Sequence, residues 1–533
     1  MCRAAILATS FVTALLLSAP ALVSPAMAQD AKKTLKIIPL NSLRTIDPHA
    51  NSNGTIRMHA LAVYDTLFAW DSKLSVKPQM VEAYTVSDDK LTYRFTLRPG
   101  LAFHDGQPVT TRDVIPSLRR WMARDTLGTK FASFVAAMDA VDDRTFAMKL
   151  KEPFAYVELG LGAIAGMAPA IMREKEAKVD PHTLITEVVG SGPFQFVRAE
   201  WDPGSKTVYT RNPGYKPRTE KPDGHTGAKD VKIDRMEWTV LPDAATAAAA
   251  IGKGEMDYWD GPPLDLLPVV SANKDLVVEQ LQPFPFFAGF RPNALHPPFD
   301  DPRARQAFQL AVDQTKVMQA AIGDQKWWRT CYAYYMCGAP FGTEAGADGF
   351  KSVNLAKAKE LLQAAGYKGE PVVLLGTTEI AIINAETQLA AEAMRSIGIN
   401  VQIQMNDWGT VLTRQADKNK PGPGSSGWNV VVTYFSGVTN FHPLTNIATN
   451  MSCDRSNWAG WPCDAEAERL RDALARTTEP VAQKAALEAF HKRLWEVVPL
   501  VLAGQFEQPS VYRKSLTGLL PASSPVFWNV TKN

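Results

Sequence analysis

The first strong pattern along the chain is an alternation of apolar and polar residues. In the stretch LTYRFTLRPG, Leu91, Tyr93, Phe95 and Leu97 fall on one side of an extended backbone, and Thr and Arg fall on the other. Successive side chains of a strand point to opposite faces, so the pattern predicts a strand with one buried face. The stretch KTLKIIPL, residues 33–40, predicts another strand near the start of the chain.

Other stretches carry apolar residues at the spacing of a helix. In IRMHALAVYDTLF, residues 56–68, Ile56, Ala60 and Val63 fall on one face. The stretch RARQAFQLAVD, residues 303–313, repeats alanine at helical spacing, as a buried helix does. Because residues three and four apart share a face of a helix, both patterns predict helices that pack into a core.

The segment from residue 371 to residue 405 predicts a β-α-β unit. PVVLLGT and INVQIQM are strand candidates, and the helical pattern NAETQLAAEAMRSIG lies between them. Before this unit, Asn354 is placed to cap the helix LAKAKELLQAAGY, and Gly366 stands where helices commonly end. A strand, a helix and a second strand in this order favour an α/β lobe.

The stretch FHDGQPVTTRDV brings His104, Asp105 and Asp113 close together in sequence. A histidine beside carboxylates suits a metal site or an acid–base pair, so one interpretation is an enzyme. In the structural interpretation the Asp-Gly dipeptide makes a turn, Thr110 or Thr111 caps a helix, and Asp113 lies in the first helical turn. We favour the structural interpretation, because it gives each of these residues a local role, and we expect His104 to lie outside the ligand site.

Composition and charge narrow the class of protein. The chain has 533 residues, of which 46% are hydrophobic, enough to bury more than one core. From the length we expect roughly two to four domains. Lys and Arg number 57 and Asp and Glu number 55, for a formal charge of +2. Without a strong basic excess to neutralise phosphates, nothing indicates a nucleic-acid or acidic-membrane partner.

The first residues have the pattern of a secretory signal peptide. Arg3 gives a positive start, an apolar run follows, and AMA at residues 26–28 is a small-residue cleavage site. We expect cleavage after Ala28, which leaves a periplasmic chain beginning at Gln29. The alternative is a membrane anchor, but polar residues and Pro20 interrupt the apolar run.

Four cysteines remain once Cys2 is removed with the signal peptide. An even number in an exported chain favours disulfides, and pairing within each local segment closes the shortest loops. The predicted disulfides are Cys331–Cys337 and Cys453–Cys463. A zinc site is the alternative, but neither CYAYYMC nor CDRSNWAGWPC has C-x-x-C spacing or nearby histidines.

Common catalytic motifs are missing from the sequence. It contains no G-x-S-x-G, no H-E-x-x-H and no P-loop. Its eight histidines are scattered, and only His49 and His59 lie as close as ten residues apart. We therefore predict no catalytic residue, no metal site and no cofactor. A catalytic triad is assembled in space, however, so a secreted hydrolase remains an alternative.

A set of longer motifs runs through the whole mature chain. It begins with TIDPHA, VYDTLFAWD and the stretch from VKPQM to SLRRW, and continues with GSGPFQF, RNPGYK and AAIGKGEMDYW. PPFDDPRARQAFQLAVDQ, AKAKELLQAAGY and LTGLLPASSPVFWNV follow. In this order the set resembles the family 5 extracytoplasmic solute-binding proteins, which are the peptide and nickel receptors of ABC importers.

The resemblance implies a two-lobed α/β periplasmic-binding-protein fold with an extra subdomain in lobe I. After a signal peptide at 1–28, we expect lobe I over residues 29–288, with the extra subdomain at about 75–190. Lobe II is expected over residues 289–498, and residues 499–533 return to lobe I. The two lobes of such a protein close over a ligand.

Candidate ligand contacts lie in loops of lobe II that are expected to reach the cleft between the lobes, where ligand sites tend to form. They are Tyr434, Phe435, Ser436 and Asn440 in TYFSGVTN, Trp408 in NDWGT, and Trp328 beside CYAYYMC. Core packing is the alternative for each aromatic residue. Tyr434 is the strongest candidate, since it follows the strand-like stretch WNVVVT.

One departure from the family pattern concerns a carboxylate. Peptide-binding members place an Asp just after this strand to pair with the amino terminus of the peptide, but this chain has no Asp or Glu between Asp417 and Asp454. A buried ammonium without a carboxylate partner is costly, so the peptide anchor is not carried over. This favours sugar-like, opine-like or other polar organic solutes. Glu379 is the candidate for a carboxylate from elsewhere, and His442 is the only local candidate for a nickel chelate.

We therefore predict a receptor, not an enzyme, that binds a small solute and delivers it to an inner-membrane ABC permease. We expect a monomer with no nucleic-acid partner. The alternatives from other classes are the secreted hydrolase and a periplasmic chaperone that binds unfolded chains. Closure around one small solute without turnover distinguishes the receptor from both.

Overall fold

The structure is a computed structural model in which residues 33–454 and 457–533 are described. The predicted signal peptide and its cleavage site after Ala28 lie outside the described residues. Strand and helix boundaries follow, at many points, the local patterns that the sequence indicates.

The strands differ in length from two to seven residues. In chain order they are β1 (Thr34–Ile38), β2 (Phe68–Trp70), β3 (Val76–Pro78), β4 (Val81–Val86), β5 (Thr92–Leu97), β6 (Val135–Ala140), β7 (Thr145–Leu150), β8 (Phe194–Phe196), β9 (Lys206–Arg211), β10 (Arg235–Thr239), β11 (Tyr258–Trp259), β12 (Leu276–Glu279), β13 (Phe286–Pro292), β14 (Trp328–Arg329), β15 (Val372–Gly376), β16 (Val401–Met405), β17 (Val430–Phe435), β18 (Val501–Phe506), β19 (Ser510–Arg513), β20 (Leu516–Thr517) and β21 (Thr531–Lys532).

Helices lie between the strands of both lobes. The α-helices are α1 (Gly54–Val63), α2 (Thr111–Arg124), α3 (Thr126–Phe134), α4 (Val157–Leu161), α5 (Glu174–Ala177), α6 (Ala244–Lys253), α7 (Leu267–Ser271), α8 (Pro302–Ala311), α9 (Gln314–Ala321), α10 (Leu355–Ala364), α11 (Ala381–Ser396), α12 (Trp408–Gln415), α13 (Ala465–Arg476) and α14 (Pro480–Val497). Short 3₁₀ turns lie at Arg198–Glu200, Leu264–Leu266, Gln325–Trp327, Asp348–Phe350 and Ile447–Thr449.

The first lobe is built on a sheet that uses strands from both ends of the chain. Among the described strands, seven form this sheet in the order β12-β19-β11-β1-β10-β9-β8. Strand β1 is parallel to both of its neighbours, β10 and β11. Since β19 comes from the C-terminal part of the chain and pairs with β11 and β12, the end of the chain returns to the first lobe.

The second lobe contains the predicted β-α-β unit. Strands β15 and β16 are parallel and α11 connects them, within a sheet of order β14-β18-β13-β17-β15-β16. The predicted cap is also present, because the Asn354 side chain accepts a hydrogen bond from the Lys357 backbone at the start of α10. Strand β18 lies beyond the expected end of lobe II at residue 498, yet it pairs with β13 and β14. Residues 501–506 therefore belong to the second sheet, because long-range pairing and not local sequence decides which sheet a strand joins.

A smaller sheet of order β4-β5-β7-β6 lies within the range expected for the extra subdomain. Its core has the alternation that the sequence predicts, since Tyr93, Phe95 and Leu97 are buried. The subdomain packs against the second lobe, because Leu444 and Ala475 join its hydrophobic core.

The stretch FHDGQPVTTRDV is a turn that leads into a helix, as the structural interpretation predicts. Gly106 has φ of +82°, and its N–H donates to the carbonyl of Phe103 at 2.9 Å. Thr110 is the N-cap of α2 and forms a capping box with Asp113. His104 bonds the backbone instead of a carboxylate: its Nε2 lies 3.1 Å from the carbonyl oxygen of Gly192.

We predict that substitutions in this stretch affect stability and leave solute affinity unchanged. Gly106→Ala is expected to cost about 1 kcal/mol, because an L-residue is strained at positive φ and no contact offsets the strain. His104→Ala is expected to lower the melting temperature, because it removes the imidazole from its backbone partners. Thermal melts and calorimetric titrations of both variants test this, and a folded His104→Ala protein with much weaker solute binding would contradict it.

Both predicted disulfides are present. Cys331 is bonded to Cys337 and Cys453 to Cys463, which contradicts the zinc alternative for these thiols. The first disulfide closes the segment that carries Tyr334 and Tyr335. Both tyrosine rings are buried and pack against His491 of the second lobe.

Candidate functional site

The two lobes are connected by two short segments and meet along a hydrophobic cluster. Residues 280–285 lead from β12 to β13, and residues 507–509 lead back from β18 to β19. Beside them, Trp70 of the first lobe lies with its ring centroid 5.0 Å from that of Phe441 in the second lobe. The ring of Phe284, in the connecting segment, lies 5.6 Å from Phe441. We call this contact region, with Ala60, Leu61, Phe435 and Val438, the interlobe cluster.

The loop that follows β17 forms the second-lobe side of this region. It turns at Ser436, whose carbonyl accepts the N–H groups of Thr439 and Asn440. Gly437 packs so closely that a Cβ there would lie 2.0 Å from the carbonyl oxygen of Pro285, so only glycine fits. The sequence places this loop directly after a strand, and the connecting segment holds it against the first lobe.

Asn440 has the least satisfied side chain of this loop. It is only 1% exposed, and neither its amide oxygen nor its amide nitrogen has a hydrogen-bond partner. A buried amide without partners costs about 1–3 kcal/mol, so such a group commonly has a role beyond the fold. Two further candidates are neighbours of Asn440 in sequence: Phe435 is the last residue of β17, and Ser436 begins the loop.

A small cavity lies between the lobes near this loop. Its volume is about 100 Å³. Its lining includes Ser52, Asp125 and Gly166 from the first lobe and Thr439 and Thr445 from the second. Asp125 is buried, which raises the pKa of its carboxyl, while its oxygens accept the backbone N–H groups of Gly128 and Met167. Asp125 therefore has a structural role at the start of α3, and the cavity presents hydroxyl groups from both lobes.

Two charged residues of the first lobe also lie in this region, and sequence reasoning missed both. Arg57 on α1 is 7% exposed, and its Nη1 donates to the carbonyl of Gly166 at 3.3 Å. Asp260 is 4% exposed, accepts from Nε2 of Gln282 at 3.1 Å, and has its pKa raised to about 7 by burial. The signal available for Arg57 was a lone charge inside the apolar helical run IRMHALAV.

Tyr434 faces away from the interlobe cluster. Because side chains alternate along β17, Tyr434 lies on the opposite face from Phe435. Its ring packs 5.5 Å from Phe286 and 5.7 Å from Phe506, against the core of the second lobe. The side chain remains partly exposed near the end of the strand that leads to the loop.

The other three candidates occupy different parts of the second lobe. Trp328 is buried in the second-lobe core and donates from Nε1 to the carbonyl of Gly323. Glu379 is exposed, and its Oε2 accepts the backbone N–H of Trp408 at 2.9 Å, at the start of α12. Neither Trp328, Trp408 nor Glu379 belongs to the interlobe cluster. Each has a packing or capping role that a sequence pattern does not distinguish from ligand contact.

His442, the candidate for a nickel chelate, is enclosed by aromatic rings. Its imidazole lies 4.2 Å from the ring of Tyr156 and 4.4 Å from that of Phe341. Burial lowers its pKa to about 3, and Nδ1 accepts the N–H of Leu444. In the part of the chain that the structure describes, no cluster of three or more His, Cys, Asp or Glu side chains could hold a metal ion.

A much larger cavity lies elsewhere, at the other end of the second sheet. Its volume is about 1120 Å³, and it is lined by residues before β15 and β17 and by the loop at 420–425. Because β15 and β17 are parallel, the loop that follows β17 lies at the opposite end of the sheet. The cavity loop contains GPGSSG, which has the spacing of a dinucleotide-binding motif but precedes a strand, whereas that motif follows a strand and opens a helix. This cavity is therefore separate from the interlobe region.

Comparison with known proteins identifies the family. The family model described as bacterial extracellular solute-binding proteins, family 5 Middle, matches residues 75–446. The chain is 38% identical to the probable peptide ABC transporter periplasmic-binding protein y4tO of Sinorhizobium fredii, over 97% of this chain and 96% of that protein. It is 25% identical to the glutathione-binding protein GsiB of Escherichia coli K12, over 92% of each.

Solved structures show the same fold at low sequence identity. The binding protein AgaA of Agrobacterium tumefaciens R10, in complex with agropinic acid, matches with a TM-score of 0.76 and 21% identity over 94% of this chain and 99% of that chain. The dipeptide-binding protein of Pseudoalteromonas sp. SM9913, in complex with Met-Leu, matches with a TM-score of 0.78 and 18% identity over 94% of this chain and 100% of that chain. These matches confirm the two-lobed α/β fold that the resemblance implied.

No helix within residues 33–454 and 457–533 combines the length and the apolar character needed to cross a bilayer.

The family match and the relative at 38% identity both cover most of the chain, and they confirm a receptor where the sequence left a hydrolase as an alternative. The chain therefore belongs to family 5 of the bacterial extracellular solute-binding proteins, as the periplasmic solute-binding component of an ABC transporter.

Proposed function

We propose that this receptor binds a small polar organic solute, peptide-like, opine-like or sugar-like, between its two lobes and delivers it to the permease. The observation that carries the proposal is the Asn440 side chain, buried where the lobes meet with both its donor and its acceptor groups unpaired. A hydroxyl, amide or carboxylate group of a solute would supply those partners. The threonine hydroxyls of the neighbouring cavity suit the same chemistry.

The comparisons support an organic solute without naming it. Glutathione, a dipeptide and agropinic acid appear in the names of relatives and of structural neighbours. These are polar organic molecules of similar size. We do not transfer any one of them to this chain, since the identities are 25%, 18% and 21%.

Closure of the lobes is the mechanism we propose for delivery. The loop after β17 belongs to the second lobe and contacts Trp70 of the first, so separating the lobes would expose Asn440. A solute that touches both lobes binds the closed state more tightly and shifts the population towards it. The permease would then recognise the closed form. A monomer is sufficient for this mechanism, and it involves no cofactor.

Ordinary peptides are expected to bind weakly. The loop after β17 contributes no carboxylate, and Glu379 bonds the start of α12 at a distance from the interlobe cluster. A desolvated peptide ammonium would therefore find no carboxylate in this loop, where family peptide receptors provide one.

We predict that Asn440→Ala weakens binding of the co-purifying solute at least tenfold, about 1.4 kcal/mol, without lowering the melting temperature. Native mass spectrometry of protein isolated gently from the periplasm identifies the solute, and calorimetry measures its affinity. Asn400→Ala, at an exposed position of the second lobe, is the matched control. Equal affinities of the two variants, or recovery of the solute in chemically altered form, would contradict the proposal. Preferential capture of unfolded chains would instead support a chaperone.

A further inference from the structure

We infer that the solute carries a carboxylate and that this group binds the guanidinium of Arg57. The inference rests on the proposed function, since it names the ligand chemistry of the same interlobe site. It is carried by the position of Arg57, by its small number of hydrogen bonds and by the lack of a close carboxylate partner.

Arg57 lies on the face of α1 that points towards the second lobe. Ala60 and Leu61, three and four residues further along the helix, both belong to the interlobe cluster. The guanidinium bonds Gly166, which lines the cavity between the lobes. Arg57 therefore lies beside the region where we place the solute.

The hydrogen bonds of Arg57 are fewer than those of other buried arginines in this chain. A guanidinium has five N–H donors. Arg120 donates to three backbone carbonyls and to Asp47, and Arg291 donates to three carbonyls. Among the described residues, Arg57 has one acceptor, Gly166 at 3.3 Å, and its Nε has none. Arg120 and Arg291 also keep one nitrogen each without an acceptor, Nε and Nη2, but each donates to three or four acceptors. Arg57 donates to one acceptor, which leaves most of its donors free for another group.

No protein carboxylate in the described part of the chain lies within 4.0 Å of the Arg57 guanidinium. Asp260 influences Arg57 electrostatically, but it is bonded by Gln282, and burial raises its pKa to about 7. An unpaired buried cation is unfavourable in the protein alone, and a bound anion would relieve that cost.

The shape of the donor group selects the class of anion. A guanidinium binds a carboxylate through two parallel N–H···O bonds, which lysine does not reproduce. Ser52 and Thr439 line the adjacent cavity, and Asn440 lies in the same second-lobe loop as Thr439. This combination fits an organic acid with hydroxyl or amide groups near its carboxylate. It narrows the sequence-based expectation of a sugar-like, opine-like or other polar organic solute to a solute that carries a carboxylate.

The first experiment tests the charge of the solute. A bacterial metabolite extract is separated on ion-exchange resins into anionic, neutral and cationic fractions, and each is incubated with refolded, ligand-free mature protein. Native mass spectrometry then detects bound solute on wild type, Arg57→Gln and the control Arg112→Gln, which removes the same charge from an exposed position of α2. We expect wild type and Arg112→Gln to retain a solute from the anionic fraction, and Arg57→Gln to lose it, with affinity reduced at least 30-fold.

The outcomes separate this inference from the proposed function. A solute from the neutral or cationic fraction that binds Arg57→Gln as well as wild type would overturn the inference and leave the proposed function standing. If wild type retains no solute from any fraction, the proposed function fails and the inference with it. Agropinic acid and its methyl ester serve as a defined pair of probes: if either binds, we expect the acid to bind more tightly, and tighter binding of the ester would count against the inference.

A second measurement does not require a ligand. If the guanidinium of Arg57 stays unpaired until the solute binds, Arg57→Met should raise the melting temperature of the ligand-free protein. The substitution removes an unpaired buried charge and keeps the side-chain volume. An arginine that only supported the fold would give the opposite result. A fall in melting temperature comparable to that of Arg291→Met would overturn the inference.

Discussion

Replacement of Asp47 by Ala is expected to lower the free energy of unfolding by about 3–5 kcal/mol. Asp47 and Arg120 are both 0% exposed, and Oδ2 of Asp47 accepts from Nη2 of Arg120 at 2.7 Å. The carboxylate also accepts the backbone N–H groups of His49 and Ile185. Removing it leaves the arginine charge buried without its counter-ion and two N–H groups without their acceptor.

Urea unfolding of Asp47→Ala measures this effect. Glu82→Ala is the control, because Glu82 pairs with Arg144 at the surface, where both side chains are about half exposed. A surface pair contributes about 0–1 kcal/mol, so the control should change little. If the two variants lose the same stability, the buried pair does not have the importance we assign to it. A large loss of stability in Asp47→Ala alone would also show that the acidic residue of the motif TIDPHA is structural.

The second large effect is a loss of stability on acidification between about pH 6.5 and pH 4. Burial lowers the pKa of six histidines to about 3 or 4, and they are His49, His59, His104, His225, His442 and His491. In this pH range the unfolded chain binds protons at these rings and the folded chain does not, so stability falls as pH falls. Each of these histidines lowers the free energy of unfolding by on the order of 3 kcal/mol when the pH falls to 4.

Buried carboxyls act in the opposite direction. The pKa values of Asp125, Asp260, Glu386 and Glu507 are raised by burial, so the folded protein binds protons there before the unfolded chain does. These four groups stabilise the fold as pH falls, and the six histidines outnumber them. The net expectation remains a falling stability.

Thermal melts from pH 7.5 to pH 4.5 measure this dependence. His442→Phe should reduce the number of protons taken up on unfolding by about one, and so reduce the slope of stability against pH. The substitution removes one of the six buried imidazoles and preserves the aromatic packing. His182→Phe, at an exposed position, is the control and should keep the wild-type slope. A melting temperature that stays constant between pH 7 and pH 5 would contradict the prediction.

The sequence alone determined the features that depend on short-range physics. Strand β5 follows from the alternation of Tyr93, Phe95 and Leu97, because the side chains of a strand alternate whatever it packs against. The cap at Thr110 and the turn at Gly106 follow from hydrogen bonds within a few residues. The disulfides join cysteines six and ten residues apart, and so short an intervening segment keeps the two thiols near each other. The order of motifs along the chain was sufficient to indicate the family.

Only the tertiary structure decided which of these residues meet at the site. The alternation along β17 put Tyr434 and Phe435 on opposite faces, but the packing of the lobes selected Phe435 for the interlobe cluster. Local sequence could not show that Glu379 bonds the start of α12, or that Asp260 lies near Arg57. These relations join residues far apart in the chain, and long-range packing, burial and charge determine them. The chain's sequence therefore determined its elements and family, and its tertiary packing decided which polar groups remain unpaired between the lobes.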